Sequence, residues 1–131
     1  MKIVLLKPNF SAHKGFLGSN YFTLPNIGIG TIAAILTNEG HDVLIKDPFL
    51  EGMDFEDAVS FIIDNKIDIV GLTTVSMHYE GAIRLASEVK KRCKKIITIL
   101  GGPHFQGIGE ECLQKNSFFD YICVGEGDYL I

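Results

Sequence analysis

The sequence predicts an α/β fold, a doubly wound parallel sheet with helices on both faces, on three observations. Short β-branched apolar runs alternate with amphipathic segments along the whole chain, as strand–helix–strand units do. Two runs, Ile3-Val4-Leu5-Leu6 and Asp68-Ile69-Val70-Gly71-Leu72, are near-continuously apolar, as strands covered on both faces must be. Gly-rich turns close two others, Leu100-Gly101-Gly102-Pro103-His104 and Val124-Gly125-Glu126-Gly127-Asp128, and mark the carboxyl ends of strands, where open α/β sheets bind ligands.

Strand 1 is expected over 2–7, and the loop after it, Pro8 to Asn26, is far longer than the two to six residues usual for a βα connection. A first helix over 27–39 opens with Gly28-Ile29-Gly30, read as close packing of the helix on the sheet, and Gly40 takes the C-terminal cap position. Strand 2, over 42–47, is shorter and more polar and belongs nearer an edge. The second helix, 54–65, is capped by Asp54 with Asp57 as an imperfect capping box, and buries Ala58, Val59, Phe61, Ile62 and Ile63. After strand 3 at 68–73, a third helix over 79–92 buries Ile83, Leu85, Ala86 and Val89. Its last turn carries Lys90, Lys91 and Arg92, cations that suit the helix dipole. Strand 4 over 96–100, a fourth helix over 107–115 and strand 5 over 120–124 complete the series. Right-handed crossovers then select the order 2-1-3-4-5, a flavodoxin-like (Rossmann-like) three-layer α/β/α arrangement with its switch point between strands 1 and 3.

The 131 residues make one domain, 1–131, large enough to bury roughly two thirds of the unfolded chain's surface without a metal or disulfide. A net charge of −4 gives no electrostatic reason to expect nucleic acid, and no apolar run approaches membrane-spanning length. The amino end lacks the features of a signal peptide, and Cys93, Cys112 and Cys123 read as reduced thiols, so a cytoplasmic protein is expected. A doubly wound sheet needs a helix after its fifth strand, and none is seen before Ile131, so the chain reads as a fragment of a longer polypeptide.

Loops Pro8 to Asn26, Thr73 to His78, Gly101 to Gln106 and Gly125 to Asp128 should share the ligand rim. Gly28-Ile29-Gly30 lacks the third Gly of a dinucleotide fingerprint and there is no P-loop Lys-Ser/Thr pair. Strand 1 ends Lys7-Pro8-Asn9, without the acidic cluster of phosphoryl acceptors or the Ser/Thr-rich loop of a flavin phosphate site. His41 lies away from the rim and reads as a solvated turn residue. His13 and His78 are expected in solvated or capping roles, while His104, beside the Gly pair, is equally well placed to touch a ligand.

Taken in order and spacing, these segments closely resemble the amino-terminal cobalamin-binding domain of cobalamin-dependent radical S-adenosylmethionine enzymes. The resemblance is carried by Ile3 to Asn9, Leu24-Pro25-Asn26-Ile27-Gly28, Gly40-His41-Asp42-Val43, Asp68 to Thr73, the Leu100 to His104 turn, and Asp120 to Asp128. It implies a corrin over the strand carboxyl ends and a nucleotide tail running into the switch-point cleft. Gly101 and Gly102 would pass that tail, Thr73 and Val75 would line it with Thr74 and Ser76 in the same loop, and Pro8 and Asn9 would form the other wall. Pro103, His104, Gly125, Glu126 and Gly127 complete the implied cofactor-binding set. On this reading Gly102→Leu fills the tail slot and leaves the fold intact.

Two departures qualify what the resemblance implies. Methyltransferase modules carry Asp-x-His-x-x-Gly after strand 1; here Ser11-Ala12-His13-Lys14-Gly15 lacks the Asp and brings the Gly one residue early, so His13 is not expected to ligate cobalt. Asp128 replaces the Glu that usually follows Gly-Glu-Gly. The implied parent chain adds a downstream radical S-adenosylmethionine domain with a 4Fe-4S cluster on a Cys-x-x-x-Cys-x-x-Cys loop, absent from these residues, which alone are therefore no catalyst. Parent reactions of the family are methylation and oxidative cyclisation. Two alternatives stay open: a degenerate scaffold domain of that family that no longer binds cobalamin, and a free-standing flavodoxin-like module that binds another ligand or a partner.

Overall fold

The structure, a computed structural model, describes residues 1–10, 26–103 and 109–127. Five parallel strands form one sheet in the order β2-β1-β3-β4-β5, as the crossover argument predicts. They are β1 Lys2–Leu6, β2 Asp42–Lys46, β3 Ile69–Thr73, β4 Ile97–Gly101 and β5 Tyr121–Ile122. Helices α1 Ile27–Asn38, α3 Phe55–Asp64, α4 Tyr79–Arg92 and α5 Gly109–Lys115 fall where the periodicity places them. Residues 107 and 108 of the expected fourth helix lie outside the described residues. β5 keeps two of the five residues expected over 120–124, because its pairing with β4 is limited to Ile99↔Tyr121 and Leu100↔Ile122.

One element is additional. α2, Pro48–Glu51, starts on Asp47, whose carboxylate accepts the Leu50 N–H at 3.4 Å, with Pro48 in the first turn. A capping Asp followed by Pro is a recognised start signal, yet a single turn has no apolar periodicity to betray it. In α3 the Asp54–Asp57 capping box closes fully, each side chain accepting the other's backbone N–H, at 2.8 and 3.1 Å. Asp serves as well as the usual Glu here.

The sheet separates two cores. Val4, Leu6, Val70, Leu72 and Leu100 face α3 and α4, whose Val59, Ile62, Leu85 and Val89 are wholly buried. Ile3 and Leu5 face α1, which lays Ile29, Ile32, Ala33 and Leu36 on them. α5 joins the first core through Cys112, whose thiol meets the Tyr79 hydroxyl at 3.0 Å. Burial, the thiol contact and the charge of Glu111 push that phenol up to about 12.

At the amino-terminal end of the sheet, one carboxylate gathers three elements. Asp120 accepts the Thr98 N–H at 2.7 Å, the Thr98 hydroxyl at 3.1 Å and the Lys90 ammonium at 2.6 Å. Burial alone would raise its pKa, but Lys90 and Thr98 overcome this and hold the carboxyl below its usual range.

The close glycine packing expected at Gly28-Ile29-Gly30 is found elsewhere. A Cβ on Gly30 would meet nothing within 4 Å and one on Gly28 would meet only the Asn26 side chain, so neither packs α1 on the sheet. The close approach occurs at Gly81 in α4, where a Cβ would be driven into the Pro8 carbonyl oxygen. Ala exceeds Gly in helix propensity by about 1 kcal/mol, whereas overpacking costs about 1–3 kcal/mol. Gly30→Ala should therefore raise stability by up to about 1 kcal/mol and Gly81→Ala should lower it by about 1–2 kcal/mol. Urea unfolding of the two variants checks this, and a stabilised Gly81→Ala would show that the contact yields freely.

Candidate functional site

β1 and β3 are neighbours whose connections leave in opposite directions, β1 toward β2 and β3 toward β4, so a crevice opens at their carboxyl ends. From β1, Lys7 stays in register through its N–H to the Lys46 carbonyl, and Asn9 N–H turns back to the Lys7 carbonyl at 2.8 Å. Pro8 and Asn9 are buried beneath this exit, with Pro8 seated on Gly81. From β3, Thr73 pairs with Gly101, and Thr74 N–H donates to the Gly101 carbonyl at 2.9 Å. Val75 and Ser76 then emerge exposed, and Ser76–His78 forms a 3₁₀ turn that leads into α4.

Thr74 holds the clearest chemical signal. The residue is 2% exposed, and among the described residues its buried hydroxyl has no hydrogen-bond partner. A buried hydroxyl left unmatched costs about 1–3 kcal/mol, so proteins seldom keep one without a use for it.

Gly102 corrects an expectation. Its φ is +119°, and a Cβ would run into the Thr74 carbonyl oxygen and lie 2.8 Å from the Thr74 nitrogen. The space left by its missing side chain is filled by the protein's own backbone, so Gly102→Leu would disturb the rim itself instead of plugging an intact slot. Gly101 differs: its Cβ would meet Cys123 Cβ at 3.6 Å, an ordinary contact.

An ionisable cluster sits beside the crevice. Lys7 pairs with Asp47 at 3.6 Å, both largely buried. His78, expected to be solvated or to cap a helix, is 5% exposed and makes no side-chain cap. Burial depresses its pKa, the Lys7 charge adds to the effect, and Asp47 opposes it. No spacing pattern links residues 7, 47 and 78, so sequence reasoning missed this cluster; only the order of β2, β1 and β3 brings them together.

The remaining predicted residues are spread out. Pro103 is exposed at the end of the Gly pair, while His13 and His104 lie outside the described residues. Gly125 and Glu126 are exposed, and Gly127 is carried over to α1, where Ile32 Cδ1 would lie 2.9 Å from a Cβ on it. A cavity of about 670 Å3 opens at the β1–β2 side, lined by Ile27, Ile29, Gly30, Ile45, Lys46 and Leu50 among others. None of its described lining residues comes from β3, β4 or β5, so it adjoins the crevice without including the Gly pair. No described helix is long and apolar enough to cross a membrane.

Residues 14–131 match the family model of the B12 binding domain. An uncharacterized methyltransferase of Pyrococcus horikoshii is 32% identical over 98% of this chain. The anaerobic magnesium-protoporphyrin IX monomethyl ester cyclase of Rubrivivax gelatinosus is 25% identical over the full chain. This chain spans about a quarter of both relatives, 27% and 23% of their lengths. A crystal structure of a cobalamin-binding protein from Desulfitobacterium hafniense shares the fold, with a TM-score of 0.68 at 19% identity, over 98% of this chain and 55% of that one.

Two predictions follow from the rim geometry. Gly102→Ala should cost about 1–3 kcal/mol through backbone strain while Gly101→Ala stays within about 1 kcal/mol of the parent, read from urea midpoints. Equal midpoints would remove the Thr74 contact as the reason for glycine. Because the folded pKa of His78 lies below the ordinary 6.5, its contribution to stability is full above that value and is lost as pH falls below it. Between pH 7 and pH 5 the urea midpoint should drop more steeply in the parent than in His78→Gln. Parallel slopes would show that His78 takes up its proton without resistance.

Proposed function

This chain belongs to the B12-binding domain family, and on that premise we propose that it is the cobalamin-binding module of a larger cobalamin-dependent radical S-adenosylmethionine enzyme, of methyltransferase or oxidative cyclase type. The observation that carries the cofactor reading is the unpartnered hydroxyl of Thr74 at the β3–β4 carboxyl ends. Residues around it fit a bulky, mostly apolar guest with a few polar edges: Pro8 and Asn9 give a buried opposite wall, and Val75 offers an exposed apolar side chain. Gly102 contributes by setting the path of the backbone. Bound cobalamin would supply a cobalt centre for group transfer; the chain's own part is to seat it, orient it and keep water from its buried edge. The reading keeps no protein His at cobalt.

Support for the larger enzyme comes from the two relatives, one named a methyltransferase and the other a cyclase, both about four times as long as this chain. A 4Fe-4S cluster, S-adenosylmethionine and the domain that would hold them lie outside these residues in this proposal.

Thr74→Val separates cofactor binding from structure. Removing an unmatched buried hydroxyl should leave the free protein as stable or more stable, by up to about 1 kcal/mol. The same change should weaken hydroxocobalamin binding about tenfold in an anaerobic visible-absorbance titration, the loss of one hydrogen bond worth about 1.4 kcal/mol. A parent protein that leaves the cobalamin spectrum unshifted at high concentration would leave the non-binding scaffold as the better reading.

A further inference from the structure

Leu5 and Ile45 sit opposite one another in the β1–β2 register and share a face of the sheet, yet Leu5 is 8% exposed and Ile45 51%. α1 accounts for the difference: Ile32, Ala33 and Leu36 pack around Ile3, Leu5 and Val43, and their stripe does not extend to Ile45. Beside Ile45 opens the cavity of about 670 Å3 between the start of α1, β2 and α2. Ile27 at 82% and Leu50 at 49% stand exposed on its other walls. Three exposed aliphatic side chains, brought to one concave place by three separate elements, form the kind of patch that marks a binding surface.

Gly30 lines the same cavity, and the fold has no need of it. A Cβ there would meet nothing within 4 Å, and the residue lies inside α1, where glycine weakens a helix relative to alanine. Neither packing nor backbone conformation explains a glycine at this position, but a side chain on it would narrow the cavity. α2 braces the facing wall: Glu51 accepts the Asp47 N–H at 3.1 Å and the Lys46 ammonium at 2.5 Å. Lys7 pairs with Asp47 at 3.6 Å, so each ammonium group on the described wall is matched by a carboxylate of that wall.

We propose that this cavity is a second ligand site, distinct from the β1–β3 crevice, for an uncharged and largely apolar small molecule. Its volume falls within the range of small-molecule pockets, about 300–1,000 Å3, whereas two turns of a helix about 10 Å across already fill about 850 Å3. The paired charges select against an ionic guest, which would have to break Lys7–Asp47 or Lys46–Glu51 to find a partner of its own. The same two pairs put hydrogen-bonding atoms at one margin of an otherwise aliphatic site, so the guest's few polar groups belong at one end. Nothing in this inference depends on whether cobalamin binds.

Titration with N-phenylnaphthylamine, an uncharged probe that fluoresces in apolar surroundings, tests it. Saturable binding of a single probe per chain is expected. Gly30→Ala should keep the affinity within about threefold, while Gly30→Leu, whose side chain reaches into the cavity, should lower it about tenfold or more. Both variants should keep or raise the urea midpoint, so that lost binding is not lost fold. Ile45→Gln, at an exposed position, is the second variant and should weaken the probe about threefold or more. Affinity left unchanged by Gly30→Leu and Ile45→Gln would overturn the proposal. So would an affinity that moves in Thr74→Val instead, which would put the probe in the crevice, or tighter binding of the anionic anilinonaphthalene sulfonate than of the uncharged probe. Affinity that falls as protein concentration rises would make the patch a contact between copies of this chain and overturn it as well.

Discussion

β1 and β3 lie side by side at the centre of the sheet, and their connections leave in opposite directions. Every other feature of the rim depends on that divergence. A crossover helix covers the flank of a strand pair, so two strands whose crossovers diverge have their flanks covered and their carboxyl ends left open. The same divergence pairs Lys7 with Asp47, sets both where their charges act on His78, and brings Thr74 against Gly102. Hydrophobic burial maintains the arrangement: Val4, Leu6, Val70 and Leu100 are at most 1% exposed, and moving any of them by one register position would exchange the two faces of a strand.

Glycine at a strand end invites the thought that it makes room for a guest, and the two members of this pair divide the work differently. Gly101 sits in ordinary strand geometry, and a Cβ on it would make an ordinary contact with Cys123. Gly102 adopts a positive φ because the Thr74 backbone occupies the region a side chain would need. Its requirement for glycine is internal to the protein. Between Thr74 and Gly102 the rim is thus shaped by backbone packing, and that stretch needs no guest to order it.

Much of this was readable from residue order alone. Continuous apolar runs give away β1 and β3, and the apolar stripes of α3 and α4 pack on the core, with Phe61, Ile63 and Ile83 only half-buried at their edges. Periodicity reports which side of an element is buried but carries no information on what it is buried against. For that reason the sequence does not distinguish Gly30 from Gly81: both are helical glycines, and only the tertiary fold places the Pro8 carbonyl over one of them. His78 is hidden from sequence reasoning on similar grounds, since a lone polar residue before a helix usually caps it, while here the turn Ser76–His78 ends with it buried. The unmatched hydroxyl of Thr74 had no sequence signature at all. Threonine is a common strand residue, and whether its oxygen finds a partner is settled by neighbours far away in the chain.

Asp120, tied at once to β4 and α4, anchors the sheet at the end opposite the rim. Mechanically it fixes the base of the β4–β5 edge while the turns at the other end remain outside that restraint. A change of side chain at Val75, Pro103 or Glu126 breaks none of these bonds, whereas a change at Thr98, Lys90 or Asp120 removes one that ties β4, α4 and the start of β5 together, so the base of the sheet and its rim can be altered separately.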